Sequence, residues 1–421
     1  MTALRHELRR SAALVALPLL FVVPAAAAFS TLWSGFSVWD NATSAVVTSV
    51  FLAGPLAAGL AAWAASRERR RRTGYLRLLG ARHPLAGPVM ELAAALAWSV
   101  VAYLAVAVAV FTKTATGGAT WGGPNWLWVA TGGAGLVLHV IAGYVTGRAV
   151  PRPWWPPTVT ILAYVFAGWN LSQWGEWWYF LSPVTVAEAD VFHQLNTTLL
   201  AGQLAWYAGL ATAIAALWML LPTGRRLPSA TFLVAGLALT GLGATTVVQQ
   251  DQRFYTQQAG FSYQCTSTQP QVCVHPAFAS ELPALRRGFL ALHERVAGTP
   301  ADFSRVEQRQ APGDGGFTIS YLPSGAGNAH VAVEEYLWAT IKPRECPPPG
   351  VTDERASDYS FHQRMVFAWL SGGPLDITAL RPQQQSSLRW FAALPESKRR
   401  EWFAAHYEEL IDCELTAEDF R

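Results

Sequence analysis

The chain has 421 residues, of which 52% are hydrophobic and only 14% charged, against roughly a quarter charged in soluble domains; this excludes a water-soluble protein over the full length. The net charge of +3 averages two unlike parts, residues 1–249 with 15 Lys+Arg against 7 Asp+Glu and residues 250–421 with 16 against 21. The first part belongs in lipid and the second in water, and the net value points to no nucleic-acid partner.

A helix needs about 20 largely apolar residues to cross the hydrocarbon core. In chain order, such runs are Ser11–Phe29, Ala42–Ala65, Val89–Phe111, Trp126–Val145, Thr158–Asn170, Thr198–Leu221 and Ala230–Val248. That predicts seven crossings. The fifth is the shortest, placed after Pro156 and Pro157 and before a Trp-rich stretch. Many of the 19 Trp fall near the predicted ends (Trp33, Trp39, Trp63, Trp121, Trp126, Trp154, Trp155, Trp177, Trp178), where indole rings favour the headgroup zone. The opening stretch, with its basic start, apolar core and Ala-rich end, also has the outline of a cleaved signal peptide. Its apolar run is longer than a signal core.

Orientation follows from the basic residues, because short Arg-rich loops stay on the cytoplasmic side. Ser66–Pro84 reads SRERRRRTGYLRLLGARHP, with seven Arg and one Glu in nineteen residues. Arg5, Arg9 and Arg10 precede the first run, Arg148 and Arg152 follow the fourth, and Arg225 and Arg226 follow the sixth. The alternate loops, near 30–42, 112–125 and 171–197, carry Lys113 as their only Lys or Arg. The N-terminus is therefore expected inside and everything after residue 250 outside. All four cysteines, Cys265, Cys273, Cys346 and Cys413, fall in that exported part, as an oxidising exterior favours. Four cysteines allow three pairings; Cys265–Cys273 and Cys346–Cys413 are the expected ones.

The predicted crossings hold few ionisable groups. His139 lies in the middle of the fourth and Glu91 at the inner end of the third. Ion-coupled carriers keep charged groups at mid-membrane, so any transport here draws its energy from elsewhere. His139 is expected to hydrogen-bond between helices, and Glu91 to cap its helix or pair with an Arg of the preceding loop.

This order of parts resembles the membrane subunit of an ABC transporter, above all the ABC-2 type exporter permeases. Those proteins begin with a cytoplasmic amphipathic helix, which Thr2–Arg10 resembles. They carry a coupling helix between the second and third crossings, where RERRRRTGYLRLLGARHP lies, and a partly re-entrant outer segment between the fifth and sixth, where WGEWWYFLSPVTVAEADVF lies. YLRLLGA followed by PVMELAAAL is also similar to the coupling region of FtsX/MacB-type permeases. The resemblance covers about residues 1–221 and implies contact with an ATPase through Arg67, Arg69, Arg70, Arg71, Tyr75, Leu76, Leu78, Leu79 and Arg82. It also implies a homo- or heterodimer of permease subunits in the cell membrane. Independently of it, a helix with Arg on one face and Tyr75, Leu76, Leu78 and Leu79 on the other suits a groove on a soluble protein. The plainer alternative is that the arginines set topology and bind anionic lipid headgroups. No GxxxxGK[ST] occurs, so an ATPase would be a separate polypeptide.

The expected whole is an α-helical polytopic membrane protein followed by a small α+β extracytoplasmic domain. Its parts are a permease-like region 1–221, a seventh helix and linker 222–250, and the exported domain 251–421. In that domain GFTISYL (316–322) alternates as a strand, and 330–341, 359–369, 382–394 and 397–411 read as helices. His293-Glu294 lacks the second His of HExxH, His330 with Glu334 supplies two ligands of the three or four that a zinc site needs, and no GxSxG occurs. No catalytic residue, metal or cofactor is expected. The alternative to a permease is a membrane-anchored receptor or regulator, or a degenerate hydrolase, that uses the crossings as a scaffold.

Overall fold

The structure, a computed structural model, describes residues 2–33, 37–70, 85–173, 177–183, 191–223, 226–250, 253–257, 260–309, 316–318, 326–341, 353–373 and 380–421. They form two compact units, Met1–Leu32 with Ser37–Gln258, and Trp33–Phe36 with Ala259–Arg421.

The first unit is helical. Its elements are α1 (Thr2–Arg10), α2 (Ala12–Val15), α3 (Leu17–Ser30), α4 (Trp39–Thr48), α5 (Val50–Arg70), α6 (Ala86–Thr116), α7 (Trp126–Ala149), α8 (Trp155–Leu171), α9 (Thr197–Thr223) and α10 (Arg226–Gln249). Among the described residues five helical stretches are long and apolar enough to cross a membrane: Trp39–Arg67, Ala86–Thr116, Trp126–Ala149, Thr197–Leu220 and Ser229–Gln249. The helices at the first and fifth predicted crossings, of 14 and 17 residues, fall short of that length. Ser11–Phe29 is divided into α2 and α3, because Pro18 has no N–H to continue a helix and suits the first turn of a new one. Pro156 and Pro157 likewise sit inside the first turn of α8, so that helix starts at Trp155, before the predicted Thr158. Its 17 residues reach about 26 Å.

Glycine sets how closely the helices approach. On α7, a Cβ at Gly143 would lie 2.1 Å from the Ala58 carbonyl oxygen of α5, and one at Gly147 would lie 2.5 Å from Ala62 Cα. The backbones therefore touch along this seam, and any side chain there would force them apart. α9 and α10 run antiparallel with the same device, Gly209 against Gly236 and Gly202 against Gly243. Contact this close compensates for the weak hydrophobic drive between helices in lipid. Phe232, Val234, Leu237, Leu242 and Val248 of α10 are exposed, an apolar surface compatible with lipid.

The α9–α10 pair is closed at one end by two three-residue strands that the sequence did not announce. β1 (His193–Leu195) and β2 (Tyr255–Gln257) pair antiparallel, with Gln194 opposite Thr256. Between β1 and α9, Asn196 accepts from the Thr198 and Leu199 amides through Oδ1, satisfying first-turn donors of α9. Its Nδ2 donates to Gln250 Oε1 and to the Arg253 carbonyl, beyond the end of α10.

The second unit is α+β. β3 (Gln264–Cys265) and β4 (Gln271–Val274) are antiparallel, while β4, β5 (Arg305–Gln308) and β6 (Gly316–Phe317) are parallel neighbours, in the order β3-β4-β5-β6. Strands of two to four residues are too short for alternation to reveal them. Of the predicted strand 316–322 only Gly316–Phe317 is β-structure, Thr318 lies outside it, and 319–322 fall outside the described residues. Between β4 and β5 runs α11 (Leu282–Val296), absent from the sequence reading, which buries Leu285, Phe289, Leu292 and Val296 on one face.

The remaining helices are α12 (Ala326–Thr340), α13 (Asp353–Ser371), α14 (Pro382–Ala393), α15 (Glu396–Ala405) and α16 (Tyr407–Ile411). The predicted helix 397–411 is thus two helices, because His406 leaves helical geometry (φ −108°, ψ 23°). Cys265 and Cys273 are disulfide-bonded across β3 and β4. Cys413 is also disulfide-bonded; its expected partner Cys346 lies outside the described residues.

Candidate functional site

The most unusual feature of the first unit is irregular backbone packed among its helices. Residues 177–183 read WWYFLSP, and Trp177–Leu181 form a short 3-10 turn. Tyr179, Phe180 and Ser182 are buried. Three successive carbonyls of this segment are taken up by one face of α9. Gln203 Nε2 donates to the Phe180 oxygen at 2.8 Å, Trp206 Nε1 to the Leu181 oxygen at 2.8 Å, and the Tyr207 hydroxyl to the Ser182 oxygen. The donors stand at helical spacing i, i+3, i+4, which puts them on one face. Asn170 at the end of α8 adds a donor to the Tyr179 carbonyl.

The depth of this insertion matters. Tyr207 lies ten residues beyond Thr197 in α9, about 15 Å along the axis, so the segment is met well inside this helix and not at its end. Buried non-helical backbone needs partners for its polar groups, and here α9 supplies them to three carbonyls. Pro183 lies against α7, where a Cβ at Gly135 would lie 2.4 Å from the Pro183 carbonyl oxygen. Phe180 and Tyr179 pack with Trp128, Leu199, Leu200, Val247 and Phe254 as the apolar floor.

One turn beyond Gly135 is His139. Its Nδ1 lies 2.9 Å from the Gly135 carbonyl, which can only accept, so Nδ1 carries the proton in that bond and Nε2 is left as the acceptor nitrogen. The predicted bond between helices is therefore a bond within α7. The contact with α5 is steric: a Cβ at Gly54 would lie 2.9 Å from the ring. Pro55 follows inside α5, where a missing N–H weakens the helical ladder. Glu91 is neither in the first turn of α6 nor its cap, which is Leu85. The buried Tyr144 hydroxyl of α7 donates to Glu91 Oε2 at 3.0 Å and lies 2.9 Å from the Pro88 carbonyl.

Most of the residues expected to couple to an ATPase lie outside the described residues. Arg67 lies near the end of α5 and is half-buried, and Arg69 and Arg70 are the last residues of that helix. Arg71, Tyr75, Leu76, Leu78, Leu79 and Arg82 lie outside the described residues. The expected N-terminal helix is present as α1, with Arg5, His6 and Arg9 exposed. Trp98 Nε1 of α6 donates to the Leu8 carbonyl and holds α1 against the bundle.

In the second unit His330 Nε2 lies 3.9 Å from Glu334 Oε2, and His293 Nδ1 lies 3.3 Å from Asp302 Oδ1. Among the described residues no three His, Cys, Asp or Glu gather as a metal site. Two groups there are moved far from their ordinary pKa. Burial pushes the Tyr359 hydroxyl up to about 12, where it donates to the Leu410 carbonyl. Burial pushes His362 down to about 4, partly offset by the carboxylates of Asp358 and Asp419.

Comparison with protein-family models, curated proteins and solved structures gave no match. The reading of function therefore rests on the residues and their geometry.

Proposed function

We propose that this chain is the membrane-spanning permease subunit of an ABC-type exporter, moving a hydrophobic or amphipathic substrate with ATP hydrolysed by a separate subunit. In this reading seven segments cross the cell membrane, α3 and α8 being the short ones, and the N-terminus is inside. The second unit is then extracytoplasmic and captures, releases or senses the substrate. Two permease subunits assemble, and residues 67–84 dock on the ATPase. The observation that carries the reading is the buried insertion 177–183, tied by three carbonyls to the face of α9. It occupies the place between the fifth and sixth crossings where ABC-2 permeases have a partly re-entrant segment. A scaffold for an anchored receptor has no need of irregular backbone at mid-membrane, where each unsatisfied polar group is costly.

The decisive experiment is purification of the chain from its native membrane, with mass spectrometry of what accompanies it. An ATPase should copurify with the parent and be lost when Leu78 and Leu79 are replaced by Asp, since two carboxylates in an apolar contact cost several kcal/mol. Insertion should persist, because the arginines of the loop are untouched. If no ATPase accompanies the parent, or if Leu78→Asp/Leu79→Asp retains it fully, the receptor-scaffold reading takes over.

A further inference from the structure

Residues 414–421 of the second unit close an aromatic box. Phe420 is 3% exposed. Its ring stacks on the His362 imidazole (centroids 4.6 Å, planes 18° apart) and meets Trp402 at 4.7 Å, Phe391 at 5.9 Å and Trp390 at 6.3 Å. The segment is pinned twice more, by Trp402 Nε1 donating to the Asp419 carbonyl at 2.7 Å and by the buried Leu415. Within it, the Thr416 amide and hydroxyl both donate to the Asp419 carboxylate, which shapes the turn that presents Phe420. On its N-terminal side the chain is anchored covalently, since Cys413 is disulfide-bonded.

His362 is the wall of this box that can change charge. It is 1% exposed, with Nε2 3.3 Å from Ser387 Oγ and a buried Nδ1 that has no hydrogen-bond partner among the described residues. The charged groups facing it are Asp358 on α13, Asp419 on the closing segment and Arg381 at the start of α14. Both carboxylates are already engaged. Asp358 accepts from Arg381 Nη2 at 2.6 Å and Gln384 Nε2 at 2.9 Å, and Asp419 from Thr416. A proton on His362 would thus place a desolvated cation, with an unpartnered N–H, flat against Phe420. The ring face attracts such a cation, but less than the loss of water costs it.

We infer that residues 414–421 form an acid-released latch, in which protonation of His362 expels Phe420 from its box and uncovers the Trp390, Phe391 and Trp402 surface. In the closed form burial holds His362 at about 4; in the open form it returns to its ordinary value near 6.5. The open form therefore binds more protons between those values. Closure is fully favoured above about pH 6.5 and is lost as pH falls, by at most tenfold per pH unit.

The test is hydrogen–deuterium exchange of the full chain in lipid nanodiscs, corrected for intrinsic exchange, with the 414–421 peptide followed at pH 7.0 and 5.0. The opening constant should rise about 20-fold in the parent. His362→Phe keeps an aromatic wall without a titrating group and should flatten that rise. Phe420→Ala empties the box, and should exchange quickly at both pH values even if His362→Phe fails to fold. His406→Gln, which alters the imidazole stacked on Trp402, should keep the rise. Equal protection of the parent at both pH values, or the same pH dependence in His362→Phe, overturns the inference.

Discussion

Replacing Gly143 by Ala tests how the helices of the first unit meet, because two effects of known size oppose each other. In an exposed helix, Gly to Ala is favourable by about 1 kcal/mol through backbone entropy. At Gly143 the new methyl would lie 2.1 Å from the Ala58 carbonyl oxygen and 2.6 Å from its C and Cα, where ordinary contact begins near 3.4 Å. Because the obstacle is backbone, no rotamer change relieves it, and α5 and α7 must part by about 1 Å. A gap of that size forfeits a quarter to a half of each dispersion contact along the seam, and overpacking of this kind costs about 1–3 kcal/mol. The clash should win, leaving Gly143→Ala less stable by about 1–2 kcal/mol. Gly168 of α8 is the control, since a Cβ there meets nothing within 4 Å; Gly168→Ala should be neutral or stabilise by up to about 1 kcal/mol. Reversible unfolding in mixed detergent and dodecyl sulfate micelles, followed by circular dichroism, measures both. If Gly143→Ala stabilises the chain as Gly168→Ala does, the backbone-to-backbone seam is wrong.

Two further outcomes follow from single contacts. Trp206→Phe keeps most of the ring but removes the donor to the Leu181 carbonyl, and should destabilise the bundle by about 1 kcal/mol in the same assay; Trp154→Phe, at an exposed ring, should not. Cys413→Ala opens a disulfide and, for the long Cys346–Cys413 loop expected from the sequence, should cost about 4 kcal/mol, whereas His330→Ala should cost less than about 1 kcal/mol because its 3.9 Å pair with Glu334 is partly exposed. Thermal unfolding of the chain with and without reductant separates these effects.

What the sequence determined by itself was whatever depends on neighbours along the chain and on the solvent that each stretch prefers. The apolar runs beginning at Val89, Trp126, Thr198 and Ala230 mark α6, α7, α9 and α10 to within a few residues, because a helix in lipid must satisfy its own backbone within one segment. Pro156 was visible too, though as a helix start its effect differs from that of a simple break; Pro18 acts in the same way inside a run read as continuous. The tertiary structure alone decided what those segments do to one another. The Phe180, Leu181 and Ser182 carbonyls find donors 23 to 25 residues away, and nothing in WWYFLSP names Gln203, Trp206 or Tyr207 as their partners. His139 was legible as a polar residue in an apolar run, but its partner was not; Gly54 admits the ring by having no side chain. Phe420 and His362 meet across 58 residues, joined by no periodicity. Hydropathy and helix geometry are local and can be read along a sequence, whereas donor–acceptor pairing, close packing and the charge a buried group will bear depend on which atoms folding brings within a few ångströms.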